Sequence, residues 1–337
     1  MRSPIDLIPS SPRWRVWLAL ATIYLVWGST YLAIRVVVET MPPLLSASVR
    51  FFIAGALMWL FLAIRRGVSS LRISVPELLA SSLVGSLLLL GGNGLVTIAE
   101  VEVPSGLAAL IIASVPLWVI LLRKLFSDRV PLTSLLAVPA GFAGVGLLLL
   151  PGNRPAGVGL FGPLLLVAAA LFWASGSFFS SKLPLPTDPF VTTVYQMLGG
   201  AGALLLGGLL RGEASGLNFS DVSLSSGIAL LYLIVAGSLL AFTAYVWLLQ
   251  NAPISQVATY AYVNPVVAML LGWLILSETL TGMMIVGAAV VIASVAFTVT
   301  GESRFAEAAK AAQSSDERVP APSVPGDVSA VPVAEVV

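Results

Sequence analysis

Cysteine and histidine are both absent from this sequence, and only 10% of its residues are charged. The absence of cysteine excludes a disulfide framework and a thiolate metal site. The absence of histidine removes the side chain that most often acts as a general base, a proton relay or a metal ligand. We therefore expect no catalytic residue, no bound metal and no cofactor.

What the sequence has in abundance is apolar side chains: 58% of its residues are hydrophobic, and the mean hydropathy is +1.00. A soluble domain of this length does not need so much apolar material to bury one core. Runs long enough to cross about 30 Å of hydrocarbon recur between charged or Pro- and Gly-rich breaks. The sequence therefore predicts an all-α polytopic membrane protein, with the lipid bilayer as a partner and no signal for nucleic acid. Its ten transmembrane helices are predicted over residues 16–35, 44–64, 77–99, 104–123, 132–150, 160–181, 190–210, 226–249, 254–275 and 281–300.

Lysine and arginine predict the orientation of these helices, because basic residues accumulate in cytoplasmic loops. If the N-terminus is cytoplasmic, 13 of the 17 basic residues fall on the cytoplasmic side. The other side receives Arg35, Arg50, Arg154 and Arg211. We expect a multi-pass membrane protein with both termini in the cytoplasm.

Two stretches of the chain are near copies of each other. Residues 103–133 read VPSGLAALIIASVPLWVILLRKLFSDRVPLT, and residues 252–281 read APISQVATYAYVNPVVAMLLGWLILSETLT. Each copy opens with a proline, has a second proline 12 residues later, and ends in a serine followed by an acid. A proline inside an apolar helix removes a backbone donor, which a membrane tolerates where neighbours or a cavity satisfy the freed carbonyl. We therefore predict helix breaks beside a central site, at Pro104, Pro116, Pro253 and Pro265.

The repetition extends over the whole membrane region. Trp27 and Arg50 are 23 residues apart, as are Trp173 and Gln196. Because five is odd, a second copy of a five-helix unit crosses the membrane in the opposite sense to the first, and such inverted repeats recur in transporters. The predicted organisation is a cytoplasmic leader over 1–15, a first five-helix repeat over 16–150, a linker over 151–159, an inverted second repeat over 160–300, and a cytoplasmic, mostly disordered tail over 301–337.

Three segments carry a resemblance to a known family: WGSTYLAIRVVVETMPPLLSASVRFF, GGNGLVTIAEVEVPSGLAALIIASVPL and YAYVNPVVAMLLGWLILSETLT. They resemble the EamA branch of the drug/metabolite transporter superfamily, and within it the YedA-like members. The resemblance covers about residues 16–300 and recurs in both halves. It implies a ten-helix carrier of the cell inner membrane, usually an exporter of small metabolites such as amino acids or related compounds.

Polar and aromatic residues at membrane depth are the candidates for a substrate site. Several of them are four residues apart and so share one face of a helix, as Trp27 and Tyr31 do and as Tyr260 and Asn264 do. For each candidate, packing between helices remains an alternative, and for Asn264 the alternative is an amide that caps the carbonyls freed by Pro265. The predicted substrate-binding residues are Trp27, Tyr31, Asn93, Trp173, Tyr260 and Asn264.

Two charged residues have a possible charge or coupling role, and each has two interpretations. Arg50 lies about a turn and a half into the second helix, where it either snorkels to the outer face or binds an anionic group. Glu100, at the end of the third helix, is either a solvated loop residue or, if the glycine patch 91–94 breaks that helix, is drawn inward toward Arg50. Tyr195, Gln196 and Tyr245 are weaker candidates, for which structural roles are favoured.

A secondary carrier with alternating access is the function that the inverted halves and the broken helices favour. A passive channel or facilitator is the alternative, and an integral membrane enzyme is a weaker one because the sequence offers no catalytic pair. The expected partner is a small-molecule substrate, while the direction of transport and the oligomeric state stay open. Since the acidic residues fall at or near predicted helix ends, we also expect transport without obligatory proton coupling.

Overall fold

The computed structural model describes residues 13–128, 130–150, 153–155 and 157–316. Within these ranges the chain is helical and contains no strand. The predicted leader up to residue 12, three positions of the predicted linker and the predicted tail beyond residue 316 lie outside the described residues.

The longer helices of the described chain follow the predicted spans closely, except that the last one continues 16 residues past its predicted end at residue 300. They are α1 Arg13–Val37, α2 Pro43–Arg66, α3 Val75–Ala99, α4 Ser105–Leu125, α5 Leu132–Leu149, α6 Phe161–Phe179, α7 Pro189–Leu210, α8 Leu224–Asn251, α9 Tyr260–Leu276 and α10 Gly282–Asp316. Among the described residues, eight helices, α1 to α8, are long and apolar enough to cross a membrane, whereas α9 and the apolar part of α10 are shorter. The prediction of an all-α polytopic membrane protein is confirmed, and the number of crossings stays a prediction.

Local sequence signals explain where several helices begin. α2 and α7 start with Pro43 and Pro189, and a proline fits the first helical turn because its missing N–H would have no partner there. Asp188 caps α7 through a backbone N–H of the first turn. Ser74 and Glu77 form a reciprocal capping box at the start of α3.

The first of the two predicted broken helices is interrupted close to its second proline. α4 consists of two segments, Ser105–Ile112 and Val115–Leu125, which are separated by two residues in turn conformation. Pro104 precedes the first segment, so it marks a helix start rather than a break inside a helix. Pro116 lies in the first turn of the second segment.

The second predicted broken helix is interrupted elsewhere. A single helical turn, Ile254–Val257, follows Pro253, and α9 then begins at Tyr260. Pro265 lies inside α9, so the predicted break at this residue is wrong. Pro253 marks the start of the helical turn, and the interruption falls at residues 258–259, before α9.

α3 and α8, the third helix of each half, both contain a widened π-helical segment. The segments are Ser86–Gly94 and Leu233–Phe242. The glycine patch 91–94 therefore widens α3 and does not break it, and the helix continues to Ala99. Side chains of α6 fill the space beside this patch: a Cβ atom on Gly92 would lie 2.7 Å from Trp173. Helices with π turns are rare and are found mostly at functional sites.

Contacts between connecting segments define one end of the bundle, which we call end A. Arg66 pairs with Asp188 at 2.5 Å, and Lys182 pairs with Asp128 at 2.9 Å. The first ion pair joins the end of α2 to the connection between α6 and α7. The second joins the connection between α4 and α5 to the same α6–α7 connection. End A thus gathers residues 67–74, 126–128, 180–188 and 251–253.

The opposite end, which we call end B, is joined in the same way. The side chain of Glu213, after α7, accepts hydrogen bonds from the backbone N–H groups of Leu44 and Leu45 at 2.9 and 3.0 Å. Arg35 donates to the carbonyl oxygen of Val101 at 2.6 Å and also to that of Glu100. Successive connections therefore alternate between the two ends, so α1 runs from A to B and α6 runs from B to A.

Large apolar side chains are exposed on the outside of the bundle along many of its helices. Examples are Phe52, Phe61, Leu210, Leu224 and Trp273. A water-facing surface of this extent would be costly, whereas lipid tails accept it. The exposed surface thus agrees with the helix lengths in placing the protein in a membrane.

Candidate substrate-binding site

A cavity of about 60 Å³ lies inside the bundle, at the level of the two π-helical segments. Its lining comes from α1, α2, α3, α4, α6, α8 and α9, and therefore from both halves. All six residues predicted from the sequence to bind substrate lie in this lining, together with Arg50. The residues are Trp27, Tyr31, Asn93, Trp173, Tyr260 and Asn264.

Aromatic rings from four helices pack together beside the cavity, and three of them, those of Trp27, Trp173 and Tyr260, line it. The Trp27 ring packs edge-on against Trp173 and Tyr260, with centroid distances of 5.4 Å in both pairs. The ring of Tyr245, from α8, packs against Trp27 at 4.9 Å, against Trp173 at 5.7 Å and against Tyr260 at 5.9 Å. Such edge-on pairs add to the stabilisation from burial alone. We call these four residues the aromatic cluster.

Polar groups in the cavity wall are left without protein partners. The amide oxygen of Asn93 is buried and accepts no hydrogen bond among the described residues. The indole nitrogen of Trp173 is also buried; it lies near the hydroxyl groups of Tyr245 and Tyr260, but not in hydrogen-bonding geometry. By contrast, the indole nitrogen of Trp27 donates to the carbonyl oxygen of Gly237 at 3.3 Å. Buried polar atoms without partners are costly, so these groups are suited to a ligand or to water.

Arg50 is the cation of the cavity wall, and it is only 3% exposed. Its Nε donates to the Ser238 hydroxyl at 2.8 Å, and its guanidinium lies 4.6 Å from the centre of the Phe51 ring. The α8 backbone approaches so closely that a Cβ atom on Gly237 would lie 2.8 Å from the guanidinium. The snorkelling interpretation is therefore wrong, because the charge is held inside the protein. Among the described residues, no carboxylate forms an ion pair with it.

The Asn264 amide joins α9 to α1. Its nitrogen, assigned as the donor from its surroundings, lies 3.1 Å from the carbonyl oxygen of Tyr24 and 3.3 Å from that of Tyr260. The carbonyl freed by Pro265 is that of Ala261, four residues earlier. The interpretation that Asn264 caps the carbonyl freed by this proline is therefore wrong, because its amide nitrogen faces the carbonyl oxygens of Tyr24 and Tyr260 instead.

Glu100 is fully buried, at 0% exposure, so its interpretation as a solvated loop residue is wrong. Neither carboxylate oxygen has a hydrogen-bond partner among the described residues. Arg35 contacts the backbone carbonyl of Glu100 and not its carboxylate. Glu100 does not line the cavity and makes no ion pair with Arg50. Within the described chain, no cluster of three or more acidic residues offers a metal site.

A larger hollow of about 580 Å³ lies toward end A, and we call it the vestibule. Its lining includes Gln196 and residues of the connections at end A. Ser177 also lines it, and the Ser177 hydroxyl is hydrogen-bonded to the Tyr245 hydroxyl at 2.6 Å. The aromatic cluster thus separates the vestibule from the cavity. The sequence alone favoured a structural role for Tyr245, because nothing in its spacing links it to Trp27.

Comparisons with known proteins agree with this architecture. The model of the EamA-like transporter family matches residues 14–150 and, a second time, residues 160–300. The chain is 36% identical to the uncharacterized inner membrane transporter YedA of Escherichia coli strain K12, over 85% of this chain and 91% of that protein. It is 28% identical to the probable amino-acid metabolite efflux pump of Salmonella typhimurium, over 85% of this chain and 94% of that protein.

A solved crystal structure shares the fold, with a TM-score of 0.62 at 21% identity, over 88% of this chain and 99% of that one. The two matches to the family model cover both halves of the bundle, and each half supplies part of the cavity wall. The chain therefore belongs to the EamA-like transporter family.

Proposed function

We propose that this protein is a secondary transporter that exports small metabolites, namely amino acids or related zwitterions, by alternating access. The observation that carries the proposal is the cavity shared by both halves, in which, among the described residues, Arg50 has no carboxylate partner and the Asn93 amide oxygen accepts no hydrogen bond. A carboxylate group of the substrate would pair with Arg50, and an ammonium group would donate to Asn93. The aromatic cluster would contact the apolar part of the substrate.

The size of the cavity supports alternating access over a permanent pore. About 60 Å³ is far below the roughly 300–1,000 Å³ of typical ligand pockets, so the site must widen to admit cargo. The vestibule extends from end A as far as the aromatic cluster, although ion pairs also join connections at that end. At end B, hydrogen bonds of Glu213 and Arg35 join the connections. This form is therefore closed toward end B and poised to open toward end A.

The orientation in the inner membrane is also a proposal. End A holds most of the basic residues of the connections, including Arg66, Arg72, Arg123, Lys124 and Lys182. By the positive-inside rule, end A is cytoplasmic, both termini are cytoplasmic, and the two five-helix halves are inverted. A reporter that is active only in the periplasm, fused after Val337, is expected to be silent, and reporter activity would contradict this orientation.

The substrate class is tested with three molecules that share one side chain: leucine, its amine isoamylamine and its acid 4-methylpentanoate. A ligand that binds the native state raises the unfolding temperature of the purified protein. We expect leucine to stabilise most and the acid to stabilise more than the amine, because the acid retains the group that pairs with Arg50. Equal stabilisation by the amine and by leucine would contradict the role of Arg50.

Transport itself is tested by exchange of labelled leucine across proteoliposomes. A carrier gives a saturable flux that is stimulated by unlabelled leucine on the opposite side. A flux that rises linearly with concentration, without stimulation, would favour a passive channel instead. Liposomes without protein provide the baseline.

A further inference from the structure

Besides Glu213, a second carboxylate crosses between the two repeats at end B. Glu278 follows α9, and its two oxygens accept hydrogen bonds from the backbone N–H groups of Ser105 at 2.8 Å and Gly106 at 3.1 Å. These N–H groups belong to the first turn of α4, where the helix dipole also favours a negative charge. Glu278 therefore ties the second half of the chain to the start of α4.

A glycine on α9 allows this contact. A Cβ atom on Gly272 would lie 2.4 Å from a Glu278 carboxylate oxygen, whereas one on Gly106 would lie 3.6 Å from the same oxygen, in ordinary van der Waals contact. A side chain at position 272 would displace the carboxylate. The close approach of α9 to α4 is thus adapted to hold Glu278 in place.

The first repeat has a corresponding acid at the other end of the bundle. Ser127 and Ser277 end α4 and α9 in the left-handed conformation, with φ angles of 61° and 55°, and they are the non-glycine residues of the described chain with positive φ. Asp128 directly follows the first serine, as Glu278 follows the second. Asp128 lines the vestibule at end A together with Pro253, and its side chain pairs with Lys182 at 2.9 Å.

We propose that Glu278 and Asp128 are alternating latches that decide which end of the transporter is closed. In the present form Glu278 holds end B closed, while Asp128 is held by Lys182 at the edge of the vestibule. When the halves exchange conformations, Glu278 releases α4, and Asp128 leaves Lys182 and closes on the chain directly after Pro253. This inference rests on the proposed transport function and names the residues that control its access.

The test uses the full-length chain in membrane vesicles, where the natural absence of cysteine allows single-cysteine probes. Thr97→Cys reports on access from end B, because Thr97 is buried at 3% exposure between the cavity and that end. Gln196→Cys reports on access through the vestibule. An impermeant maleimide is applied from the periplasmic or the cytoplasmic side, and the labelling rates of both probes are measured.

Glu278→Gln is expected to raise periplasmic labelling of Thr97→Cys and to lower cytoplasmic labelling of Gln196→Cys. The ratio of the two rates should change by about tenfold, which corresponds to about 1.4 kcal/mol. Asp128→Asn is expected to keep Thr97→Cys protected even when cargo is added, because the opposite form loses its latch. Glu102→Gln is the matched control, since Glu102 is exposed on the connection that precedes α4, and it should leave both rates unchanged.

Unchanged labelling of both probes in Glu278→Gln would overturn the proposal. If that variant is not recovered in the membrane, Glu278→Asp keeps the charge but shortens the reach, and unchanged labelling there would overturn it equally. The labelling of the Glu278→Gln variant does not require a known cargo, so the two proposals fail separately. Leucine exchange with no change in labelling would support the transport function and contradict the latches. Shifted labelling without leucine exchange would support the latches and contradict leucine as the cargo.

Discussion

Arg50 and Gln196 occupy the same place in the two repeats, 23 residues after Trp27 and Trp173, yet they face different spaces. Arg50 lines the cavity and is hydrogen-bonded to Ser238. Gln196 lines the vestibule, and its buried amide oxygen has no partner among the described residues. The two repeats thus have similar helices, and the positive charge of the cavity comes from one difference between equivalent positions, arginine at 50 and glutamine at 196.

The strongest test of this difference makes the two halves alike. Arg50→Gln removes the cavity charge, and loss of a charged hydrogen bond of about 1.5–3 kcal/mol should weaken leucine binding by roughly 10- to 150-fold. The dissociation constant from titration calorimetry measures the effect. Arg50→Lys keeps the positive charge but lacks the forked donors of the guanidinium. Its dissociation constant for leucine should therefore lie between those of the unchanged protein and the glutamine variant. Unweakened binding in the glutamine variant would show that Arg50 only packs.

The two equivalent tryptophans give a second comparison. Trp173→Phe removes an indole N–H that has no protein acceptor, so it should weaken leucine binding by about 2- to 10-fold with little change in stability. Trp27→Phe removes the bond to Gly237 and should lower the free energy of unfolding by about 1 kcal/mol. Chemical unfolding in detergent and calorimetry separate the two effects. The same outcome for both variants would argue against a ligand contact at Trp173.

A smaller effect is expected at the vestibule. Gln196→Ala should change the dissociation constant of leucine by less than about twofold, because the aromatic cluster separates this residue from the cavity. A larger loss of leucine affinity would indicate that part of the bound leucine lies in the vestibule, so that Gln196 and Arg50 would both contact it.

The smallest effect is expected from a pH gradient. We predict that proteoliposomes with an imposed pH gradient and no leucine gradient accumulate no leucine, and that Glu100→Gln and the exposed control Glu102→Gln behave alike. The buried position of Glu100 makes this residue the decisive one. Uphill accumulation that is lost in Glu100→Gln and retained in Glu102→Gln would show that Glu100 couples protons to transport.

Length and apolarity were enough to predict the helices, because each membrane crossing needs a run of fixed length. The repeat spacing of Trp27 and Trp173 and the four-residue spacing of Tyr260 and Asn264 were enough to predict these residues for one site, and all four line the cavity. The π-helical segments could not be predicted, since the extra width of α3 depends on how Phe172 and Trp173 of α6 pack against its glycines. Such contacts between helices leave no periodic signal in either sequence.

The wrong predictions share a physical origin. Glu100 was predicted to be solvated because it lies at the end of α3. Its burial depends instead on the connections that cover it at end B. The break expected at Pro265 falls earlier because α9 packs on α1 and the Asn264 amide is held by backbone carbonyls there. Proline weakens a helix, and the surrounding packing decides where the helix is interrupted.

The two π-helical segments also bear on the ancestry of the chain. They begin at Ser86 and Leu233, so their spacing of 147 residues matches that of the repeat itself. A π turn accommodates an additional residue within a helix. Two independent insertions at the same place would be a coincidence, so we infer that the widened helix was already present in the repeat unit before that unit was duplicated. Because both halves line the cavity, a single unit would have carried the widened segment without enclosing a cavity of this kind.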